Sequence, residues 1–381
     1  MDKHDASTMT TRIDQLSSHV VYSNPMPHVR SRHGFFPGLV QLPGGQLLAF
    51  VAIGEAFESA DMTTHLLRSA DRGRSWQLQG AICDKATEPI PTSDYLKPQI
   101  LRDGTLIGLG YRFHRLDPEQ PISIVRTDGL LPGDNVVCFS SDQGRTWSAP
   151  RIIERSTPEL VEIPHGPIQL PSGDIVVSAG LMKMPDGSNP SGQYGLILRS
   201  RDGGANWNDE VRFFQSASRT VAAFESGIAR LSDGRLVTIC WAYDTAFGRD
   251  HANQVSVSHD AGYTWSEPID TGHMAQSSGL LALDGQRVMS IHCHRGQEVG
   301  LFVRVVDLSD DRWNVITESC IWGAQAGGQV PDSQTFETMI RKIRFGQPSL
   351  VQLDNGEILA AHWAIIEGQG QVLAHRLRLV D

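Results

Sequence analysis

The chain has 381 residues, 40% of them hydrophobic, with 37 glycines, 43 acidic against 33 basic side chains and a formal net charge of −10. That balance, without a basic stripe, argues against a nucleic-acid or anionic-membrane partner, and no run of about 18 apolar residues marks a membrane span. Five cysteines stand singly with no Cys-x-x-Cys pair, and the first 20 residues hold no uninterrupted apolar segment, so free buried thiols and a cytoplasmic location are expected.

Residues 1–19 are polar and are expected to be unstructured, leaving 20–381 as a single domain. A short apolar strand follows at His19–Ser23. The first hairpin then runs from Phe36-Pro37-Gly38-Leu39 through Gly45 to Phe50. After it comes Ser69-x-Asp71-x-Gly73-x-x-Trp76. The second hairpin, Lys97 to Leu109 through Gly104, is followed by the same motif on Ser140, Asp142, Gly144 and Trp147. The third, Pro164 to Val177, precedes a copy on Asp202 and Trp207, and the fourth, Phe224 to Ile239, precedes one on Asp260 and Trp265. A fifth hairpin, Gln276 to Ile291, has only the degenerate Ser309-Asp310-Asp311-Arg312-Trp313 behind it. An insert rich in Gly and Gln, residues 324–338, suits a lid or a subunit contact, and the oligomeric state is not readable. The sixth hairpin runs from Gly346 to Ala360, and the apolar strand Val372–Leu379 ends the chain.

Each hairpin turns on an Asp-Gly, Asn-Gly, Gly-Gly or Ser-Gly pair, a strong local hairpin signal. In the Ser-x-Asp-x-Gly-x-x-Trp motif the Asp accepts backbone N–H groups, the Gly supplies positive φ, and the Trp packs back on the sheet. The motif Asp recurs at intervals of 58 to 71 residues, which with four strands per unit is the period of a propeller blade. Six hairpins predict an all-β, six-bladed β-propeller, closed by pairing the first strand with the last.

In such a ring the inner strands converge on a central channel, while the repeated motif sits on outer turns and is structural. Function is therefore sought at the heads of the inner strands and in the loops after them. The heads supply Arg32, His33, Lys97, His165, Glu225, Gln276 and Gln347. The loops add Glu55, Glu58, Asp61, Tyr111, Arg112, His114, Tyr243, Asp244, His292, His294, Arg295 and Arg344. The gathering of His33, His165, His292, His294, His65 and His114 near Arg112, Arg295 and Arg344 suits acid–base work and anion recognition. A metal site is conceivable among His165, His292, His294 and Glu225, although their spacing is only a weak signal for one, and no cofactor is expected.

These Asp-box motifs on six similar units resemble the sialidase (neuraminidase) superfamily over roughly residues 30 to 380. The resemblance implies a retaining exo-glycosidase using an Asp acid/base, a Tyr nucleophile polarised by a Glu, and three Arg that clamp a substrate carboxylate. Asp61 matches the acid/base loop position, and Glu225 matches the polarising Glu. Phe36 stands where the first clamp Arg is implied, Ile239-Cys240-Trp241-Ala242 where the second is implied, and Gln347 where the nucleophilic Tyr is implied. Gln cannot act as that nucleophile.

The leading expectation is accordingly a sialidase-like glycoside hydrolase acting on a small, acidic saccharide with rebuilt catalytic residues. Asp61 would be the proton donor and Glu225 the base or nucleophile. His33, Lys97, Tyr111, Arg112, His165, His292, Arg295, Arg344 and Gln347 would contact substrate. A uronic-acid lyase using Tyr111, His114 or His165 with Arg112 is a second expectation. A non-catalytic sugar-binding propeller, with a mouth of neutral and aromatic residues, is a third.

Overall fold

The computed structural model describes residues 11–296, 298–323 and 336–381. Among them, six antiparallel sheets of four or five strands form the blades of a propeller. Their innermost strands are His33–Gln41, Thr92–Ile100, the broken pair Val161–Glu162 and Ile168–Gln169, Val221–Arg230, Ser278–Ala282 and Phe345–Gln352. These strands define blades 1 to 6 in chain order. The insert 324–338 lies largely outside the described residues, which resume in the short helix Phe336–Lys342.

The second strand of each blade is sandwiched between neighbouring blades. Leu47–Gly54 in blade 1 is buried at every position, as is nearly all of Leu106–His114 in blade 2. Burial on both faces explains why such segments read as continuous apolar runs rather than alternating ones. Apolar clusters then stitch blade to blade. Val237 and Ile239 of blade 4 pack with Val288 and Val306 of blade 5, and Ile291 and Val303 of blade 5 with Ile358 and Leu377 of blade 6.

The ring is closed by the chain ends. Arg12–Tyr22 pairs antiparallel with Gln369–Val380, so His19 lies opposite Ala374 and Val20 opposite Leu373. This corrects the expectation that residues 1–19 lack structure, because residues 12–19 are strand; residues 1–10 lie outside the described residues. Backbone pairing along a neighbour's edge orders this segment despite its polar composition.

Each complete Asp-box joins the third and outermost strands of its blade. In the first, Ser69 Oγ donates to Asp71 Oδ1 (2.8 Å), and Asp71 accepts Ser75 N–H (2.9 Å) and Ser75 Oγ (2.6 Å). Both central turn residues, Arg72 and Gly73, have positive φ (59° and 82°), the backbone that matches strand twist in a tight hairpin.

Candidate active site

Three of the six inner strands carry the same irregularity at the same place. Pairing slips by one residue between Phe35 and Gly38, between Phe224 and Gly227, and between Gly346 and Ser349. Within these bulges Phe36, Glu225 and Gln347 adopt positive φ of 54°, 43° and 36°. Such backbone is disfavoured for side chains of this size, and bulges are a means of re-aiming one residue. All three side chains are thereby turned into one cavity of about 950 Å³, open mouth included, on the propeller axis.

The polar groups gather on its floor. Lys97, 1% exposed, donates from Nζ to Phe36 O (2.7 Å), Pro37 O (3.3 Å) and Gln347 Oε1 (2.7 Å). Burial lowers its pKa to about 7, but three acceptors match the three N–H bonds of the ammonium form. With its oxygen taken by Lys97, Gln347 turns its amide nitrogen to Glu225 Oε1 at 3.4 Å. Glu162, on the first short piece of the blade 3 inner strand, accepts the Glu225 backbone N–H at 2.9 Å. Arg295, 3% exposed, is held by Phe345 O (2.9 Å from Nε) and Gln276 Oε1 (2.6 Å from Nη1). Gly346 makes room for it, since a Cβ there would collide with Nη2.

Two carboxyl groups thus share an apolar cavity. Desolvation raises the pKa of Glu162, and the neighbouring Glu225 charge raises it further. Desolvation also raises Glu225, opposed by Arg295 and Lys97. Like charges in one low-dielectric site cannot both be held cheaply, which favours protonation of one carboxyl of the pair. The balance favours Glu162 as that acid, because Glu225 is the one stabilised by Arg295, Lys97 and the Gln347 amide.

The walls above the floor are aromatic and aliphatic. Phe57 and Trp363 rings lie 5.2 Å apart, Phe36 and Tyr95 5.4 Å, and Phe224 and Trp241 5.6 Å. Met339 and Ile340 of the short helix, with Ile343, close one side.

Of the residues singled out from sequence, the structure brings Tyr111, Glu225, Arg295 and Gln347 into this cavity, with Lys97 beneath them. His165 lies in the channel on the far side of that floor. Its Nε2 donates to Ser278 O (2.8 Å), and burial lowers its pKa to about 4. The remaining residues are placed elsewhere. Arg112 faces away from Tyr111, as strand alternation demands, and is ion-paired with Asp134 (3.0 Å) and Glu88 (3.3 Å). His33 accepts Gly370 N–H at Nδ1 (2.8 Å), and His292 sits wholly buried between Ser278 Oγ (3.1 Å) and Ser290 Oγ (2.7 Å). Arg344 bonds the carbonyls of Arg341 and Ile343 at the surface. Asp61 is consumed by its own turn, accepting Glu55 N–H (2.9 Å) and Ser59 Oγ (2.6 Å), and is not part of the cavity wall.

The histidine-rich mouth expected from the sequence is therefore not assembled. Among the described residues no group of three or more His, Cys, Asp or Glu is placed to hold a metal ion. Glu162 was not anticipated. Its signal was Val161-Glu162-Ile163-Pro164, a carboxylate between apolar residues just ahead of the third hairpin.

The six sheets make a six-bladed propeller whose fold is like that of sialidases. A family model described as a BNR repeat-like domain matches residues 132–359, and the chain belongs to that family. It is similar to a Dyadobacter fermentans protein of unknown function at 18% identity and TM-score 0.76, covering 97% of this chain and 99% of that one. It is also similar to Penicillium chrysogenum alpha-L-arabinanase complexed with arabinobiose, at 16% identity and TM-score 0.62, covering 95% and 98%. Trypanosoma rangeli sialidase in complex with the inhibitor DANA is similar at 15% identity and TM-score 0.60; 91% of this chain covers 55% of that one. At these identities the likeness is one of fold. No curated protein matches the sequence.

Proposed function

We propose that this protein is a glycoside hydrolase acting on a small saccharide held on the floor of the central cavity. The observation that carries the reading is the Glu162–Glu225 pair, with both pKa values raised and cations next to Glu225. Glu162, kept protonated, donates its proton to the leaving glycosidic oxygen. Glu225, kept ionised by Arg295, Lys97 and Gln347, serves as nucleophile or activates water. Two carboxyls divided between acid and base are the common apparatus of glycoside hydrolysis. Arg295, bonded to two neutral acceptors, has N–H groups left for an acidic substituent of the sugar.

The fold likeness to sialidases and an arabinanase supports this class of reaction. The lyase alternative loses its charged partners, because Arg112 and His114 are both tied to Asp134 outside the cavity. Sugar binding without turnover draws support from the aromatic walls alone. A panel of chromogenic aryl glycosides, including sialosides, arabinosides and uronides, separates these readings. Chromophore release that is lost in Glu162→Gln and Glu225→Gln supports a hydrolase; absence of release from every sugar contradicts it.

A further inference from the structure

Most of the cavity lining is apolar, with its carboxyl, guanidinium and amide groups gathered at Glu162, Glu225, Arg295 and Gln347, and that arrangement bears on substrate class. Sugar hydroxyls taken from water cost free energy unless each finds a hydrogen-bond partner. Such partners lie on the floor, at Glu162, Glu225, Arg295 and Gln347. Above it, Lys183 is neutralised by Asp128 (2.5 Å), and the Trp241 indole N–H is tied to Asp250 Oδ1 (2.7 Å), which leaves its ring face to the cavity. Phe36 is driven into the cavity on a strained backbone, so its apolar ring is held there against local preference. Phe57 and Trp363 stand beside it, Ile340 of the short helix lines the same cavity, and Met339 packs with Phe224 and Trp241.

A second sugar ring would strand its hydroxyls against this wall. From these placements we infer that the substrate is a single small sugar joined to an apolar aglycone, an aryl or alkyl group seated between Phe57, Trp363 and Ile340. This rests on the hydrolase reading for the sugar end, but the apolar subsite is read from the wall alone. Burial of each methylene is worth about 0.8 kcal/mol, or roughly a fourfold gain in affinity.

The test is calorimetric titration of methyl, butyl and hexyl glucosides and glucuronides, with sugar release followed in parallel. The inference predicts that affinity rises about fourfold per methylene from butyl to hexyl. In Phe57→Gln and in Ile340→Gln, each tested separately, the gain shrinks to twofold or less per methylene. Equal affinities along the series, or no binding by the hexyl glycosides, overturns it. The two ideas fail separately. A chain-length gain leaves the apolar subsite standing even where the whole glycoside panel shows no sugar release, the result that contradicts the hydrolase. Sugar release at equal kcat/KM for methyl and hexyl glycosides does the reverse.

Discussion

Gln347 donates its amide N–H to Glu225 Oε1 at 3.4 Å while its own oxygen accepts Lys97 Nζ at 2.7 Å, so a buried cation two residues removed orients the group that steadies the carboxylate. Both Gln347 and Glu225 stand on β-bulges with positive φ. The relay has a direct consequence for pH dependence. Replacing Gln347 by Leu removes a donor that favours the ionised form of Glu225, whose pKa is already raised by burial. The acidic limb of the kcat/KM profile is expected to move to higher pH in Gln347→Leu, with the alkaline limb in place. An unmoved acidic limb contradicts the relay.

On the proposed reading, Glu162 is expected to set the opposite limb. Its pKa is raised by burial and by the neighbouring Glu225 charge, which favours the protonated form, and activity is expected to fall as pH rises through that pKa. Lys97→Met removes a cation that lowers both carboxyl pKa values, so both limbs are expected to shift upward together. A bell that narrows, or that shifts down, argues against the assignment of acid and base.

Gly346 is expected to tolerate no side chain. A Cβ there meets the Arg295 guanidinium, which is locked by Phe345 O and Gln276. Gly346→Ala is expected to cost about 1–3 kcal/mol of stability by overpacking and to weaken binding of an acidic glycoside more than a neutral one. Denaturant titration and calorimetry check the two parts. Equal weakening of both glycosides means that Arg295 does not recognise charge.

The ring seam supplies an acid-sensitive element. His362 Nε2 and His375 Nε2 lie 3.2 Å apart, and His375 Nδ1 meets Ser18 Oγ at 2.8 Å on the N-terminal strand. Burial depresses both imidazoles, His375 to about 4. The unfolded chain protonates His375 near pH 6.5, whereas the folded chain does not until about 4, and His362 is likewise held well below its ordinary value, so stability is full above 6.5 and declines as pH falls below it. The expected slope is about 1.4 kcal/mol per pH unit for each imidazole. Urea titrations at stepped pH read it, and His375→Gln is expected to flatten it. A wild-type profile level from pH 7 to 4.5 contradicts the mechanism.

The architecture was legible because its determinants are local. Asp71, Gly73 and Trp76 specify a turn by chemistry that survives any tertiary context, and their repeats count blades. The slots of Phe36, Glu225 and Gln347 were legible for the same reason, each heading a hairpin. Facing was not. Arg112 and His114 share the neighbourhood of Tyr111 but alternate to the other side of the strand, where Asp134 binds both. Position alone puts His292 at the mouth, whereas Ser278 and Ser290 satisfy both its nitrogens in the interior. The loop position of Asp61 does not reveal its turn partners, Ser59 and Glu55. Glu162 was missed because its two-residue strand piece precedes the hairpin from which the blade was read.

The division of labour between the two carboxyls is tested most directly by turnover and binding in Glu225→Gln, measured on whichever aryl glycoside the wild type cleaves. The expected result is a kcat lower by about 10²–10⁴-fold with the glycoside Kd changed by only a few fold, as for loss of a group that acts on the reacting atoms. A variant that turns over at the wild-type rate, or that loses binding and turnover in equal measure, contradicts the account.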